Sequence, residues 1–201
     1  IISIDGNFVG VIAAIDMPKS DALQCVQALN SSGIKTYMLT GDNYATAQTI
    51  AKQSGIENVF AEVMPVDKAN EIAELKKQYK VAMVGDGIND APALATADVG
   101  IAVGGGTDIA IESADIVLTG KSLKTVADAY DLSRKTMGNI KQNLFWAFIY
   151  NILALPIAAG VLFPFFGILL NPMIAAFAMS VSSVSVVLNA LRLNLFKSRF
   201  K

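Results

Sequence analysis

The sequence has no histidine, a single cysteine and a single tryptophan, and its last acidic residue is Asp131. Each shortage excludes something. Without histidine, neither an imidazole-built zinc site nor histidine acid–base catalysis exists within these 201 residues. Cys25 alone leaves no internal disulfide; its place on an amphipathic stretch reads as a small core residue. No signal peptide opens the chain, because Ile1-Ile2-Ser3-Ile4 has the pattern of a strand, not a charged start before an apolar run. A chain that begins within a strand and without Met reads as part of something longer.

The largest absence is charge. From Gln142 to Leu191 there is no Asp, Glu, Lys or Arg, and this is about twice the roughly 20 apolar residues that cross a bilayer. Phe163-Pro164-Phe165-Phe166-Gly167 and Asn171-Pro172 break the run near its centre, so two membrane helices are expected, about 143–163 and 172–191. Through Asp131 the chain carries 9 basic and 17 acidic side chains; from Leu132 onward it carries 7 basic and none acidic. Arg134, Lys135 and Lys141 precede the first span, and Arg192, Lys197, Arg199 and Lys201 follow the second, so both flanks are expected on the cytoplasmic side. Basic residues gathered at span ends serve a membrane, and no nucleic-acid partner is expected.

What is present before residue 131 alternates. Ile1–Ile4 and Phe8–Ile15 read as a hairpin around Asp5-Gly6-Asn7. Lys19–Ser32 reads as a helix stopped by Gly33, Ile34–Leu39 as a strand, and Thr40-Gly41-Asp42 as a turn into a helix ending at Ser54-Gly55. Val59–Val63 is a further strand, and Pro65 opens a helix whose apolar face includes Ala69, Ile72, Ala73 and Leu75. Val81–Val84, Gly100–Val103 and Asp115–Leu118 complete the strands, and a long helix follows Leu123, with Gly138 as a point of softness. The pattern predicts an α/β fold, a parallel sheet with helices on both faces, followed by the two-helix membrane hairpin. The expected divisions are 1–131 for the α/β part, 132–142 for a connecting helix and 143–201 for the hairpin and basic tail. Ligands of such sheets sit at the carboxyl ends of the strands. The loops at 40–42, 85–87 and 104–108 are therefore expected along one edge.

The residues of those loops suit phosphoryl chemistry. Asp86 stands between two glycines, with Asn89 and Asp90 close behind, a cluster of hard oxygen donors suited to Mg²⁺. Thr40 adds a hydroxyl and Lys68 a cation, and phosphoryl transfer depends mainly on positioning and charge neutralisation. Taken singly, Asp-Gly is a common turn, Thr40 a helix cap and Lys68 a solvated side chain. No nucleophile stands on a first strand.

Thr40-Gly41-Asp42, Pro65-Val66-Asp67-Lys68 and Gly85-Asp86-Gly87-Ile88-Asn89-Asp90 resemble, in order and spacing, the later motifs of the phosphorylation domain of P-type ATPases. That domain has the haloacid-dehalogenase-like (Rossmann-like) fold. The resemblance implies that Thr40 bonds the phosphoryl oxygens, with Gly41 and Asp42 completing its loop. It implies that Lys68 neutralises those oxygens, Asp86 holds Mg²⁺ together with Asp90, and Asn89 and Asp90 brace the site. ATP is implied as substrate, bound mainly by segments absent here. Neither the family's Asp-Lys-Thr-Gly-Thr strand nor its nucleotide-binding insertion stands in these residues. The 201 residues alone are therefore expected to be inactive, and their partners to be the ATPase's N-terminal spans, actuator domain and nucleotide-binding domain.

In the uncharged half, Tyr150-Asn151 lies mid-span ahead of Pro156, and Met179, Ser182 and Ser183 fall on one helical face. Thioether sulfur suits Cu(I), and hydroxyl and amide oxygens suit harder ions; the same residues also serve simple helix packing. Tyr-Asn followed by Met-x-x-Ser-Ser is similar to the copper(I) branch of the heavy-metal P-type ATPases. The zinc and cadmium branch places charge in its last span, and this stretch has none. The resemblance implies a Cu(I) pathway over Tyr150, Asn151, Met179 and Ser183, with Ser182 beside them and Met173 at the exit side. The family's Cys-Pro-Cys ligands are not in this chain, so the site it carries is half of one. Implied with this are membrane lipid and a copper chaperone as partners, and a multi-pass place in the plasma membrane with a cytoplasmic α/β domain and C-terminus. Silver, zinc or cadmium as cargo, and a non-catalytic membrane-tethered module that partners a full-length pump, are the rival readings.

Overall fold

The computed structural model describes residues 2–10, 17–104, 108–120, 122–161, 163–167 and 172–200, and it divides into two compact units, Ile1–Ala127 and Asp128–Lys201.

The first unit opens with strands β1 (Ile2–Ile4) and β2 (Asn7–Gly10), paired antiparallel. The rest of the expected hairpin, residues 11–16, lies outside the described residues. Helix α1 (Ala22–Ser31) starts three residues later than its pattern implied and buries Cys25, Val26 and Ala28. Strand β3 (Tyr37–Leu39) leads through residues 40–43 into α2 (Tyr44–Ser54). Asn43 caps that helix by accepting from the Thr46 N–H at 3.0 Å, and Gly55 ends it at φ +72°, which a Cβ would strain. Strand β4 (Asn58–Phe60) is shorter than the stretch expected, because Val63 turns back to donate to the Thr40 carbonyl. Pro65 does open α3 (Pro65–Lys76), but only Ile72 of its expected apolar face is buried; Ala69 and Leu75 are half-buried and Ala73 is exposed. Strand β5 (Ala82–Gly85), a 3₁₀ turn at Ile88–Asp90, α4 (Ala91–Thr96), β6 (Val99–Val103), α5 (Asp108–Ser113) and β7 (Ile116–Leu118) complete the unit. Leu94 of α4 packs over β6, whose Ile101, Ala102 and Val103 are buried.

Every pairing after the hairpin is parallel: β3 with β4, β5 with β6, and β6 with β7. The α/β fold with parallel strand pairing is as expected. Among the described residues no ladder joins β3 to β5, so the strands form a pair and a triplet.

In the second unit, helix α6, which begins in the first unit and spans Lys124–Ala158, runs unbroken through Gly138 and Pro156. A short α7 (Phe163–Phe166) stands where a break was expected, and α8 (Pro172–Leu191) follows. Among the described residues no helix is long and apolar enough to cross a membrane, so the two spans expected over 143–163 and 172–191 are not shown. Residues 162 and 168–171, and the side chains of Leu155, Ala158, Pro172, Ile174, Ala175, Phe177 and Ala178, lie outside the described residues.

The polarity of this unit is inverted relative to an ordinary helical pair. Leu144, Phe145, Phe148 and Ile152 of α6 are exposed, while Asn139 is buried and Asn143, Ala147 and Tyr150 half-buried. On α8, Val184, Val187 and Leu188 are exposed, while Ser182, Ser185 and Asn189 are half-buried. Among the described side chains, small and polar ones thus lie inward and many large apolar ones outward, with Ile149, Ile157 and Val186 half-buried.

Candidate functional site

The loop after β3 is built on its own threonine. Thr40 Oγ1 donates to Asp42 Oδ2 at 2.8 Å and accepts from the Asp42 N–H at 3.1 Å, which curls the backbone into a tight turn. Two crossings fix that turn to the next strand and helix: Thr40 N–H donates to the Phe60 carbonyl, and Val63 N–H donates to the Thr40 carbonyl, both at 3.0 Å. Val63 stands two residues before Pro65, so the same contacts set the start of α3 and, one turn on, Lys68.

Lys68 Nζ reaches Asp90 Oδ1 at 2.8 Å, and both side chains are only 16% exposed. The glycines around Asp86 explain how Asp90 fits. A Cβ on Gly85 would lie 2.8 Å from Asp90 Cβ and 3.0 Å from Asp90 Oδ2; one on Gly87 would lie 3.7 Å from that oxygen. Asp90 therefore folds back onto Gly85, in space only a glycine leaves open, and its N–H donates to the Gly87 carbonyl at 3.1 Å. Asp86 and Asn89 are exposed, and among the described residues no hydrogen bond or ion pair engages the Asp86 carboxylate. Lys68 and Asp90 are thus brought into contact, and the Thr40 loop is joined to them through Val63 and the start of α3. Of the third loop, residues 105–107 lie outside the described residues.

The donor set suits a hard cation in part. No group of three or more His, Cys, Asp or Glu stands close enough to hold a metal among the described residues. An exposed Asp86 beside an Asp90 whose second oxygen is free of Lys68 supplies two carboxylates, which is what Mg²⁺ takes when waters and substrate phosphates fill its other positions.

The residues expected along a metal pathway stand on α6 and α8. Asn151 Nδ2 donates to the Ala147 carbonyl at 2.8 Å and Ser183 Oγ to the Met179 carbonyl at 3.1 Å, each turned onto its own helix. Met173, Met179 and Ser183 are exposed, Tyr150 and Ser182 half-buried.

Two features escaped the sequence reading. Gly85 was legible as a turn residue but not as the seat of Asp90. Asp98 was not singled out. It accepts from the Val81 N–H at 3.0 Å and from Lys80 Nζ at 3.1 Å, with Lys76 at 3.9 Å, and these contacts, the Val81 bond foremost, hold its carboxyl below the usual range. Its placement after Ser/Thr-type punctuation at the end of α4 gave no signal of this role.

Comparisons with known proteins bear on the chain as a whole. A haloacid dehalogenase-like hydrolase family matches residues 2–98. The chain is 55% identical to the probable copper-transporting ATPase PacS of Synechocystis sp. over 97% of its own length and 26% of the relative's. It is equally identical, at 55%, to the copper-exporting P-type ATPase of Legionella pneumophila, over 95% of this chain and 26% of that one. It thus spans about a quarter of the length of these curated relatives. Among solved structures, a zinc-transporting PIB-type ATPase in the E2.Pi state superposes with a TM-score of 0.82 at 37% identity, covering 94% of this chain and 30% of that chain.

Proposed function

We propose that this chain, which belongs to the P-type ATPases, is the carboxy-terminal portion of a copper(I) exporter that couples ATP hydrolysis, through an aspartyl phosphate, to moving Cu(I) out of the cytoplasm. The observation that carries the reading is the Lys68–Asp90 pair at 2.8 Å, seated on Gly85 beside the free carboxylate of Asp86.

In this reading the γ-phosphoryl group passes to an aspartate outside these residues: the bond to the ADP oxygen breaks as the bond to the carboxylate oxygen forms. Lys68, held in place by Asp90 before substrate arrives, offsets charge on the transferring oxygens, and such preorganised donors supply most of the catalysis in phosphoryl transfer. The Thr40 hydroxyl turns from Asp42 to a phosphoryl oxygen. Asp86, with Asp90, would hold Mg²⁺, which when bound neutralises phosphate charge; Asn89 and Asp90 brace the loop. Edges of β3 and β5 that carry no ladder among the described residues support a further parallel strand between them, bringing the nucleophile to the edge that carries Thr40 and Asp86.

The inverted polarity of α6 and α8 supports a membrane setting, since helices in lipid turn small and polar residues toward each other. The superposition on a PIB-type pump extends beyond the first unit. Cu(I) is favoured as cargo by two features. The uncharged α8 supplies thioether and hydroxyl groups and no carboxylate, and identity to relatives named for copper is 55%, against 37% for the pump named for zinc. Tyr150, Asn151, Met179, Ser182 and Ser183 line this pathway, with Met173 toward its exit. The pump sits in the plasma membrane with the α/β unit and C-terminus cytoplasmic; its other segments, lipid and a copper chaperone are its partners.

The deciding assay is vanadate-sensitive ATPase activity of the complete protein reconstituted in lipid. Cu(I) should stimulate it and Zn²⁺ should not, and the isolated 201 residues should have none. Stimulation by Zn²⁺ equal to that by Cu(I) overturns the cargo; activity in the isolated chain overturns its incompleteness.

A further inference from the structure

Three asparagines close a ring between α6 and α8. Asn139 Nδ2 donates to the Asn189 carbonyl at 2.6 Å, Asn143 Nδ2 to Asn139 Oδ1 at 3.0 Å, and Asn189 Nδ2 to Asn143 Oδ1 at 2.8 Å. The Asn189 carbonyl lies in the last turn of α8, where the regular helical donors run out. Arg192 closes the outer side, donating to Asn189 Oδ1 at 3.0 Å, and Gln142 accepts more distantly from Asn189 Nδ2 at 3.4 Å. Asn139 is 8% exposed. A buried amide engaged at both its nitrogen and its oxygen favours one arrangement of its neighbours and penalises others.

The ring also sets a register. The C-terminal strap runs the same way past α6: Lys135 lies 4.7 Å over the Phe196 ring, and Ser198 and Arg199 reach back to Asp128 and Asp131. Later residues of one partner thus meet earlier residues of the other, so α6 and α8 are antiparallel. In such a pair, equal steps away from a contact reach the same level. Tyr150 stands seven residues beyond Asn143, and Ser182 seven before Asn189, so each is about 10.5 Å from the ring at 1.5 Å per residue. Seven residues is also two turns, which keeps Tyr150 and Ser182 on the stripes that carry the asparagines. The half-buried Ala147 and Ser185 fall on those stripes between them.

We propose that Asn139, Asn143 and Asn189 are positioning residues: a register lock that places the level of Tyr150 and Asn151 opposite that of Ser182 and Ser183, and so sets the geometry the transported ion meets. The assignment to ion geometry rests on the function proposed above; the register itself does not. A one-turn slip displaces the two levels by about 5.4 Å, more than a soft-metal coordination sphere spans.

The test uses the complete protein. Asn139→Leu and Asn143→Leu each remove interhelical bonds, whose usual worth in a membrane predicts a rise of about 3- to 18-fold in the Cu(I) KM, with the KM for ATP unchanged. Gln142→Leu, which loses only the long contact, should leave both unchanged. Parallel loss of Cu(I) and ATP parameters, or no change in either, overturns the lock. Should the leucine variants fail to fold, Asn143→Ala is the substitute. A readout independent of turnover is photocrosslinking from a benzoylphenylalanine at Ala147. In the unmutated protein the product should map to residues 185–186, and in the leucine variants it should spread a turn to either side. Products elsewhere in the unmutated protein overturn the register, whereas correct mapping in a protein that no soft metal stimulates sinks the functional reading alone.

Discussion

Replacing Gly85 by Ala tests the core of the site at one atom. The added Cβ would lie 2.8 Å from Asp90 Cβ, 3.0 Å from its Oδ2 and 3.1 Å from its Cγ. Carbon atoms do not pack at 2.8 Å, so Asp90 must move, and overpacking of this kind costs about 1–3 kcal/mol. The displaced carboxylate releases Lys68, whose side chain is 16% exposed and loses its 2.8 Å partner; leaving a largely buried charge unpaired adds to the penalty. A loss near 2 kcal/mol in a unit of this size lowers its melting midpoint by roughly 6–10 °C. The assay is thermal unfolding of the complete protein in detergent, read beside phosphoenzyme formed from ATP. Gly41→Ala is the matched control for stability, because its nearest neighbour, the Val63 carbonyl oxygen, would be 3.5 Å away. The mechanism also predicts coupling. Lys68→Met should cost less in the Gly85→Ala background than alone, by about 0.5 kcal/mol or more, because the same ion pair is already broken. A Gly85→Ala protein that melts with the unmutated one and forms phosphoenzyme at the same level would refute the reasoning.

Asp86→Asn in the complete protein should abolish phosphoenzyme formation or its turnover while leaving the melting midpoint within about 2 °C, since the exposed carboxylate engages nothing in the fold; normal turnover removes Asp86 from the metal site. Asp98 predicts a pH dependence. Its folded pKa is lowered, chiefly by the Val81 N–H and then by Lys80 and Lys76, so its contribution is complete above the ordinary carboxylate value of about 3.9 and is lost as pH falls through the lower folded value. The midpoint difference between unmutated protein and Asp98→Asn should therefore be constant from neutrality to about pH 5 and shrink below about pH 4; a difference that does not change with pH contradicts it.

Much of the first unit was legible because its signals are local. Pro65 at a helix start and Gly55 at a helix end each act within a turn of chain, and the structure places both so, whereas the cap of α2 is Asn43 and not Thr40. Short parallel strands ending at Leu39 and Gly85 follow from apolar runs bounded by turn residues. The split between β3 and β5 was not legible, since which strands pair depends on partners far away in sequence. Nor was the burial on α3: the helical period selected Ala73 together with Ile72, but the element packed beside them covers only Ile72. The seat of Asp90 on Gly85 is a contact of side chain with backbone across a turn, and no periodicity encodes it. Asn139 and Asn143, four apart at the edge of an uncharged stretch, are two amides on one helical face.

The second unit shows why that pair matters. A water-soluble helical pair hides its large apolar side chains, yet here Phe145, Phe148, Ile152, Val184 and Leu188 are exposed while asparagine and serine lie between the helices. Burial of apolar area then does less to select one pairing of α6 with α8, because the outward faces are as apolar after any slide that keeps them outward. Directional contacts add the selection, and among the described residues the asparagine ring joins the two helices directly. A ring of amides has one closed arrangement; a slip of a single turn opens both of the bonds that cross from α6 to α8. The register of the pair is accordingly set at the polar end of the helices, two turns from Tyr150 and Ser182, and a change at Asn139 should be felt at the ion before it is felt at the phosphoryl site.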